Sequence, residues 1–135
     1  MPRLHVVAIA PKLPAWAETA CAEYARRMPK GYEVERIALK DESRLRLALP
    51  KGARVVALDE RGRDFSTAQF AKLLETPSAF VIGAAEGLSD ATKREAALIM
   101  RLSAMTLPHA LAQLVLLEQL YRAASLLTGH PYHRA

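Results

Sequence analysis

The hydrophobic positions follow two rhythms that alternate along the chain. Leu4-His5-Val6-Val7-Ala8-Ile9-Ala10 is a short apolar run rich in β-branched residues and closed by Pro11, the pattern of a buried strand. Pro14 then opens a helix through Met28, since proline has no bonded N–H to lose in a first turn. Trp16, Ala20, Tyr24 and Met28 recur every four positions as its packed face. Arg26, Arg27 and Lys30 gather at its end, where cations oppose the helix dipole, and are not counted as a binding patch. Tyr32 to Leu39 alternates with one phase shift and predicts a second strand. Asp41 caps a short helix through Leu49, and Pro50-Lys51-Gly52 makes a turn. Ala53 to Leu58 predicts a third strand, followed by a polar loop from Asp59 to Arg63. Ser66-Thr67-Ala68-Gln69 matches a capping box and starts a helix through about Glu75. Ser78 to Gly83 predicts a fourth strand, Ala84 to Leu88 a loop, and Ser89 caps a helix containing Ala91, Arg94 and Ala97. Leu98 to Met105 predicts a fifth strand, and Ala110 to Leu127 the last helix.

Strands alternating with helices imply a single α/β domain with a mostly parallel sheet of five or six strands. In such sheets ligands bind beyond the carboxyl ends of the strands. That rule directs attention to Leu58-Asp59, Gly83 to Gly87, and Met105 to His109. The last helix carries Leu111, Leu114, Val115, Leu116, Leu117, Leu120, Tyr121 and Leu127, which cover more than one face. A helix apolar nearly all round is buried on two sides. The second side is met either by another subunit across a two-fold axis or by the domain wrapping the helix.

Charge and cysteine content narrow the picture. Nineteen Lys and Arg against fourteen Asp and Glu leave the 135-residue chain at +5, which favours an anionic partner. Cys21 is alone, which excludes a disulfide framework or thiolate metal site, and it reads as a buried thiol. Leu4 to Ala10 is too short for a signal segment, and no run approaches a membrane span, so a cytoplasmic protein is expected.

Three segments carry candidate chemistry. Ile82 to Ser89 is a strand, a small-residue loop and a helix start, an arrangement that lets backbone approach a ligand. No Gly-Lys-Ser/Thr follows, so a nucleoside triphosphatase is not expected, and the dinucleotide fingerprint is absent. Ser103-Ala104-Met105-Thr106-Leu107-Pro108-His109 is a kinked loop, with Pro108 forcing extended backbone at Leu107. It offers carbonyls and amides to an adenine-sized group. His109 serves either the mouth of that loop or a local cap or core hydrogen bond. Gly129 to Ala135 holds two His, a Tyr and an Arg, an inventory suited to RNA, although a polar tail would also contain it. Pro131 between His130 and His133, with no Cys or carboxylate trio nearby, argues against a zinc site, and no metal is expected. Glu118 and Arg122 are spaced as a helix-stabilising pair, with an interface or substrate role left open.

Leu102 to His109, Glu118-Gln119-Leu120-Tyr121-Arg122-Ala123 and His130-Pro131-Tyr132-His133-Arg134 stand in a telling order, together with Val81-Ile82-Gly83 and Glu86-Gly87-Leu88. The chain closely resembles the ribosomal RNA large subunit methyltransferase H family, the SPOUT-class enzymes that methylate N3 of a pseudouridine in 23S rRNA. The resemblance extends to Pro14-Ala15-Trp16 and Glu23-Tyr24-Ala25-Arg26-Arg27. It implies a carboxy-terminal trefoil knot and a homodimer. It implies S-adenosyl-L-methionine held by Leu58, Gly83, Leu102, Ser103, Ala104, Met105, Thr106 and Leu107, mostly through backbone. It also implies catalytic or RNA-facing roles for His109, Tyr132, His133 and Arg134 in the partner subunit's site, with rRNA in the assembled ribosome as substrate. His133 or His109 would help remove the N3 proton, and Arg134 would hold a phosphate or the developing imidate. Three departures stand out: Ala84 where the family usually has a second glycine, Gln113 where it tends to carry Arg, and a shortened stretch from Lys40 to Pro50. Two other readings follow, a non-catalytic RNA-binding dimer and a methyltransferase acting on transfer RNA.

Overall fold

The first apolar run forms the strand β1 (Leu4–Ile9), buried at all six positions because it lies inside a sheet covered on both faces. The computed structural model describes residues 3–10 and 12–134, the side chains of His133 and Arg134 excepted. After β1 come α1 (Ala15–Arg27), β2 (Val34–Leu39), a 3-10 turn Glu42–Arg44 leading into α2 (Leu45–Ala48), and β3 (Arg54–Arg63). They are followed by α3 (Thr67–Leu73), β4 (Ser78–Ile82), α4 (Asp90–Glu95), β5 (Leu98–Met100), α5 (His109–Thr128) and a 3-10 turn Pro131–Arg134. The sheet has the order β2-β1-β4-β3-β5, and every pairing is parallel.

Strand side chains alternate between faces, and the core divides accordingly. Leu4, Val6, Val56, Phe80 and Ile82 meet Cys21 of α1, Phe70 of α3, and Leu116, Leu117 and Leu120 of α5 in the larger cluster. Val7, Ile9, Ala57 and Val81 meet Leu45 of α2 and Leu88 in the smaller one. A sheet buried on both faces explains why β1 and β4 read as unbroken apolar runs.

Local chemistry holds the elements in register. Ser66 accepts from Gln69 N–H at 3.1 Å while the Gln69 side chain accepts from Ser66 N–H at 2.9 Å, the reciprocal capping box. Two arginines bind the carboxyl end of α3: Arg54 donates to Leu73 O at 2.9 Å, and Arg3 to Leu74 O and Glu75 O. Glu42 accepts from Ser89 N–H, Ser89 O–H and Thr92 O–H, tying the short α2 region to the start of α4. Burial alone would raise its pKa, but the Ser89 and Thr92 bonds outweigh it and hold the carboxyl below its usual range.

Several expectations need correction. The buried positions of α1 are Ala17 and Cys21, whereas Trp16 is 58% exposed. A strict four-residue repeat drifts around a 3.6-residue helix, so Trp16 and Met28 cannot share one stripe. Asp59 to Arg63 is no loop but an extension of β3, shifted in register after Leu58 and re-pairing Arg63 with Met100. Its polarity reflects the largely exposed end of the strand. β5 stops at Met100 rather than Met105. Beyond it, Ser103 Oγ accepts from Met105 N–H at 2.9 Å, a local bond that competes with strand pairing.

At the crossing of β3 over β5 the two backbones nearly touch. A Cβ on Gly62 would lie 2.5 Å from the Met100 carbonyl carbon and 2.6 Å from its Cα. Only hydrogen fits there. Gly62→Ala is expected to cost about 1–3 kcal/mol or more, the overpacking range, read as a lower urea midpoint. An unchanged midpoint would mean that the strands do not approach this closely.

Candidate active site

The carboxyl ends of β3, β4 and β5 surround a cleft of about 250 Å³, near the lower end of small-molecule sites at roughly 300–1,000 Å³. One wall is Leu58, Asp59 and Glu60; another is Ile82 to Gly87; the third is Arg101, Leu102, Ser103, Met105, Thr106 and Leu107. His109 and Ala112 of α5 close it. The three strand ends singled out in the sequence therefore converge. Of the expected cofactor residues, Ala104 alone does not line the cleft; it is exposed within the same loop.

Gly83 keeps the second wall tight. A Cβ there would come within 2.8 Å of Gly87 C and Leu88 N. Ala84 accepts the Gly87 N–H at 2.8 Å, closing a turn. Among the described residues no non-glycine has a positive φ, so Ala84 sits on ordinary backbone and its methyl costs the turn nothing.

His109 spans two elements. Its Nδ1 lies 2.9 Å from Gly83 O and its Nε2 lies 3.0 Å from Gln113 Nε2. A carbonyl only accepts, so Nδ1 carries the proton and the Nε2 lone pair accepts from the Gln113 amide. Gln113, only 4% exposed, is thus the partner of His109 one turn along α5. The sequence marked it only as a departure. The signal available was the four-residue helical spacing. Arg101 is also committed, bonding both oxygens of Asp64 at 2.6 and 2.9 Å and holding that carboxyl below its usual range.

The tail lies elsewhere. Tyr132 O–H donates to Glu118 Oε2 at 2.9 Å, which leaves its oxygen to accept from Tyr24 O–H at 3.2 Å. The ring stands 4.5 Å from that of Tyr121, under the Arg122 guanidinium at 4.9 Å. Arg122 in turn bonds Glu118 Oε2 at 2.7 and 3.0 Å. Glu118 is roughly 13 Å from His109 along α5, at about 1.5 Å per residue. One chain therefore does not bring Tyr132 to its own cleft beside His109. The side chains of His133 and Arg134 lie outside the described residues. Among the described residues no cluster of three or more His, Cys, Asp or Glu could hold a metal ion, and no helix is long and apolar enough to cross a membrane.

A parallel sheet with a backbone-lined cleft at its carboxyl edge defines a ligand-binding α/β protein. The chain belongs to the SPOUT methyltransferase family, whose model, described as "Predicted SPOUT methyltransferase", matches residues 2–133. It is 44% identical to Ribosomal RNA large subunit methyltransferase H of Burkholderia mallei (strain SAVP1) over 155 aligned positions, covering 98% of this chain and 99% of the relative. That alignment is longer than the 135-residue chain, so the relative carries insertions absent here. Among solved structures, a probable methylase family protein from Haemophilus influenzae Rd KW20 shares the fold at a TM-score of 0.66, with 11% identity over 97% of this chain and 70% of that one. The SpoU methyltransferase AviRb from Streptomyces viridochromogenes, solved in complex with the cofactor AdoMet, matches at 0.57, with 15% identity over 93% and 60%.

Two outcomes test this geometry. Nitrogen-15 NMR should show a His109 ring proton on Nδ1 and an unprotonated Nε2; a proton on Nε2 would exclude the bond from the Gln113 amide. For Tyr132, burial first, then the Tyr24 and Glu118 bonds, push the phenol above its ordinary range. A group whose pKa rises on folding adds stability that is complete below its unfolded value, about 10 for tyrosine, and is lost as pH climbs toward the folded value. Tyr132→Phe should therefore cost about 1.5 kcal/mol near pH 7, with the gap closing only above about pH 10. A gap that closes as pH rises from 7 while still well below about 10 would contradict the clasp.

Proposed function

We propose that this protein methylates N3 of a pseudouridine in large-subunit rRNA on the assembled ribosome, working in the cytoplasm as a homodimer. The observation that carries the reading is the convergence of the 58–60, 82–87 and 101–107 segments on one cleft, in a chain of this family. S-adenosyl-L-methionine, the cofactor of the family, supplies a methyl group on a sulfonium centre. The cleft suits it: Leu58, Ile82, Leu102 and Leu107 offer apolar surface, while loop backbone and the carboxylates of Asp59, Glu60 and Glu86 offer polar partners. In this reading Leu58, Gly83 and the loop from Leu102 to Leu107, Ala104 included, hold the cofactor through main-chain groups.

Methyl transfer to nitrogen needs in-line placement more than a nucleophilic side chain. The imide N3–H must still lose its proton. Both His109 nitrogens are bonded within the chain, so we give His109 a positioning role and assign proton removal to His133 of the partner subunit. Arg134 of the partner subunit then holds a phosphate or the developing imidate. A second copy is supported by α5. Leu111 and Val115 belong to neither core cluster and lie on one helical stripe with Glu118 and Arg122, beside the clasp that anchors the tail. A trefoil knot is supported by the crossing at Gly62, where the β3 extension lies over the exit of β5.

The direct test incubates the protein with S-adenosyl-L-methionine and ribosomes lacking the modification, then maps methyl groups by mass spectrometry. One new methyl on a large-subunit pseudouridine is expected. His133→Ala should lower turnover by about 100-fold or more, the range of a general base, while cofactor affinity holds. Methyl groups on transfer RNA alone, or none at all, would overturn the substrate; unchanged turnover in His133→Ala would overturn the assigned base.

A further inference from the structure

Beside the cleft runs a second, wider groove of about 680 Å³, between the extended end of β3 and the helix α4. It shares Asp59 with the cleft, so the two lie side by side. Its floor is Ala96, Ala97, Leu98 and Ile99, along the edge strand β5. Its rim carries Arg61, Arg63, Lys93 and Arg94 against Asp59 and Asp90.

The rim follows from the crossing described above. Gly62 is pressed on the Met100 backbone, and alternation along a strand turns its neighbours the other way. Arg61 and Arg63 are accordingly exposed on either side of the half-buried Gly62. Lys93 is only loosely engaged, at 3.8 Å from both Asp59 and Asp90. Arg63 Cζ sits over the Phe65 ring, 4.9 Å from its centroid. Arg61 and Arg94 make no hydrogen bond or ion pair with any described residue. Two nearby acids outside the groove are occupied, Asp64 by Arg101 and Glu95 by Arg46, while Glu60 lines the cleft instead.

Exposed arginines lining one open groove, with no partner among the described residues, gain little from the fold. They gain from a polyanion laid along it. A phosphodiester backbone fits better than an acidic protein surface. It presents charge at regular spacing along a line, and the groove lies beside the cleft where a base must arrive. We infer that this groove is the docking track for the RNA backbone flanking the target nucleotide, with Arg61 and Arg94 as its phosphate contacts. The inference rests on the rRNA methyltransferase reading.

The test is the charge-reversed double variant Arg61→Glu/Arg94→Glu beside Arg61→Lys/Arg94→Lys. Neither position lines the cleft, so cofactor affinity should stay within about twofold and serves as the check on folding. The reversed variant should raise KM for ribosomes about tenfold or more with kcat little changed, and the lysine variant should restore most of it. On a protein-free fragment of large-subunit rRNA, the slope of log affinity against log salt should fall by about 1–2 for two lost phosphate contacts. An unchanged KM and slope would overturn the inference. A loss on ribosomes with none on the protein-free fragment would overturn it in favour of a ribosomal protein as the partner. If the unaltered protein methylates no rRNA, the enzymatic reading fails, while the salt slopes still report on the groove separately.

Discussion

Everything at the carboxyl edge of the sheet depends on two backbones passing with only a hydrogen atom between them. Gly62 lies against Met100 so closely that the extension of β3 and the end of β5 behave as one piece. Arg101 N–H then donates to Arg63 O at 3.0 Å, and the Arg101 side chain grips Asp64. These bonds fix the direction in which the chain leaves β5. It crosses the strand ends through residues 101–108 and enters α5 at His109. A bulkier residue at position 62 would lift β3 from β5, and the third wall of the cleft would lose its footing.

The cleft inherits its rigidity from the same economy. Loops supply much of its walls, and two of the side chains along it, His109 and Arg101, are already engaged. His109 joins the turn after β4 to the first turn of α5, and Gln113 holds the other face of its ring. Polar groups bound on both sides in a half-buried site cost energy to reorganise. Arg61 and Arg94 are the opposite case, exposed charge with no partner among the described residues. The edge of the sheet thus separates a preorganised small-molecule site from an adaptable polyelectrolyte surface.

Much of this was legible in the residues. β1 and β4 announced themselves because burial on both faces leaves no room for polar positions, and the Ser66 box because its two bonds are local. The three segments of the cleft were found from the rule that ligands meet parallel sheets at their carboxyl ends. What escaped was set by contacts distant in sequence. Asp59 to Arg63 reads as loop because nothing local reveals the pairing of Arg63 with Met100. Gln113 looked like a substituted arginine until His109 was seen to need a donor. The bonds of the Tyr132 hydroxyl to Glu118 and Tyr24 also escape a local reading, because both partners lie more than a dozen residues away in the chain.

Cys21 has a use that its chemistry alone would not suggest. It is 0% exposed, at the centre of the layer where α1 meets α5, and burial pushes its thiol above the ordinary range. It is also the chain's single cysteine. A thiol reagent therefore reaches nothing until α1 lifts from the sheet, and the labelling rate becomes a clock for that opening. The helix pair that carries both the positioning histidine and the tail clasp comes with its own internal reporter of when it breathes.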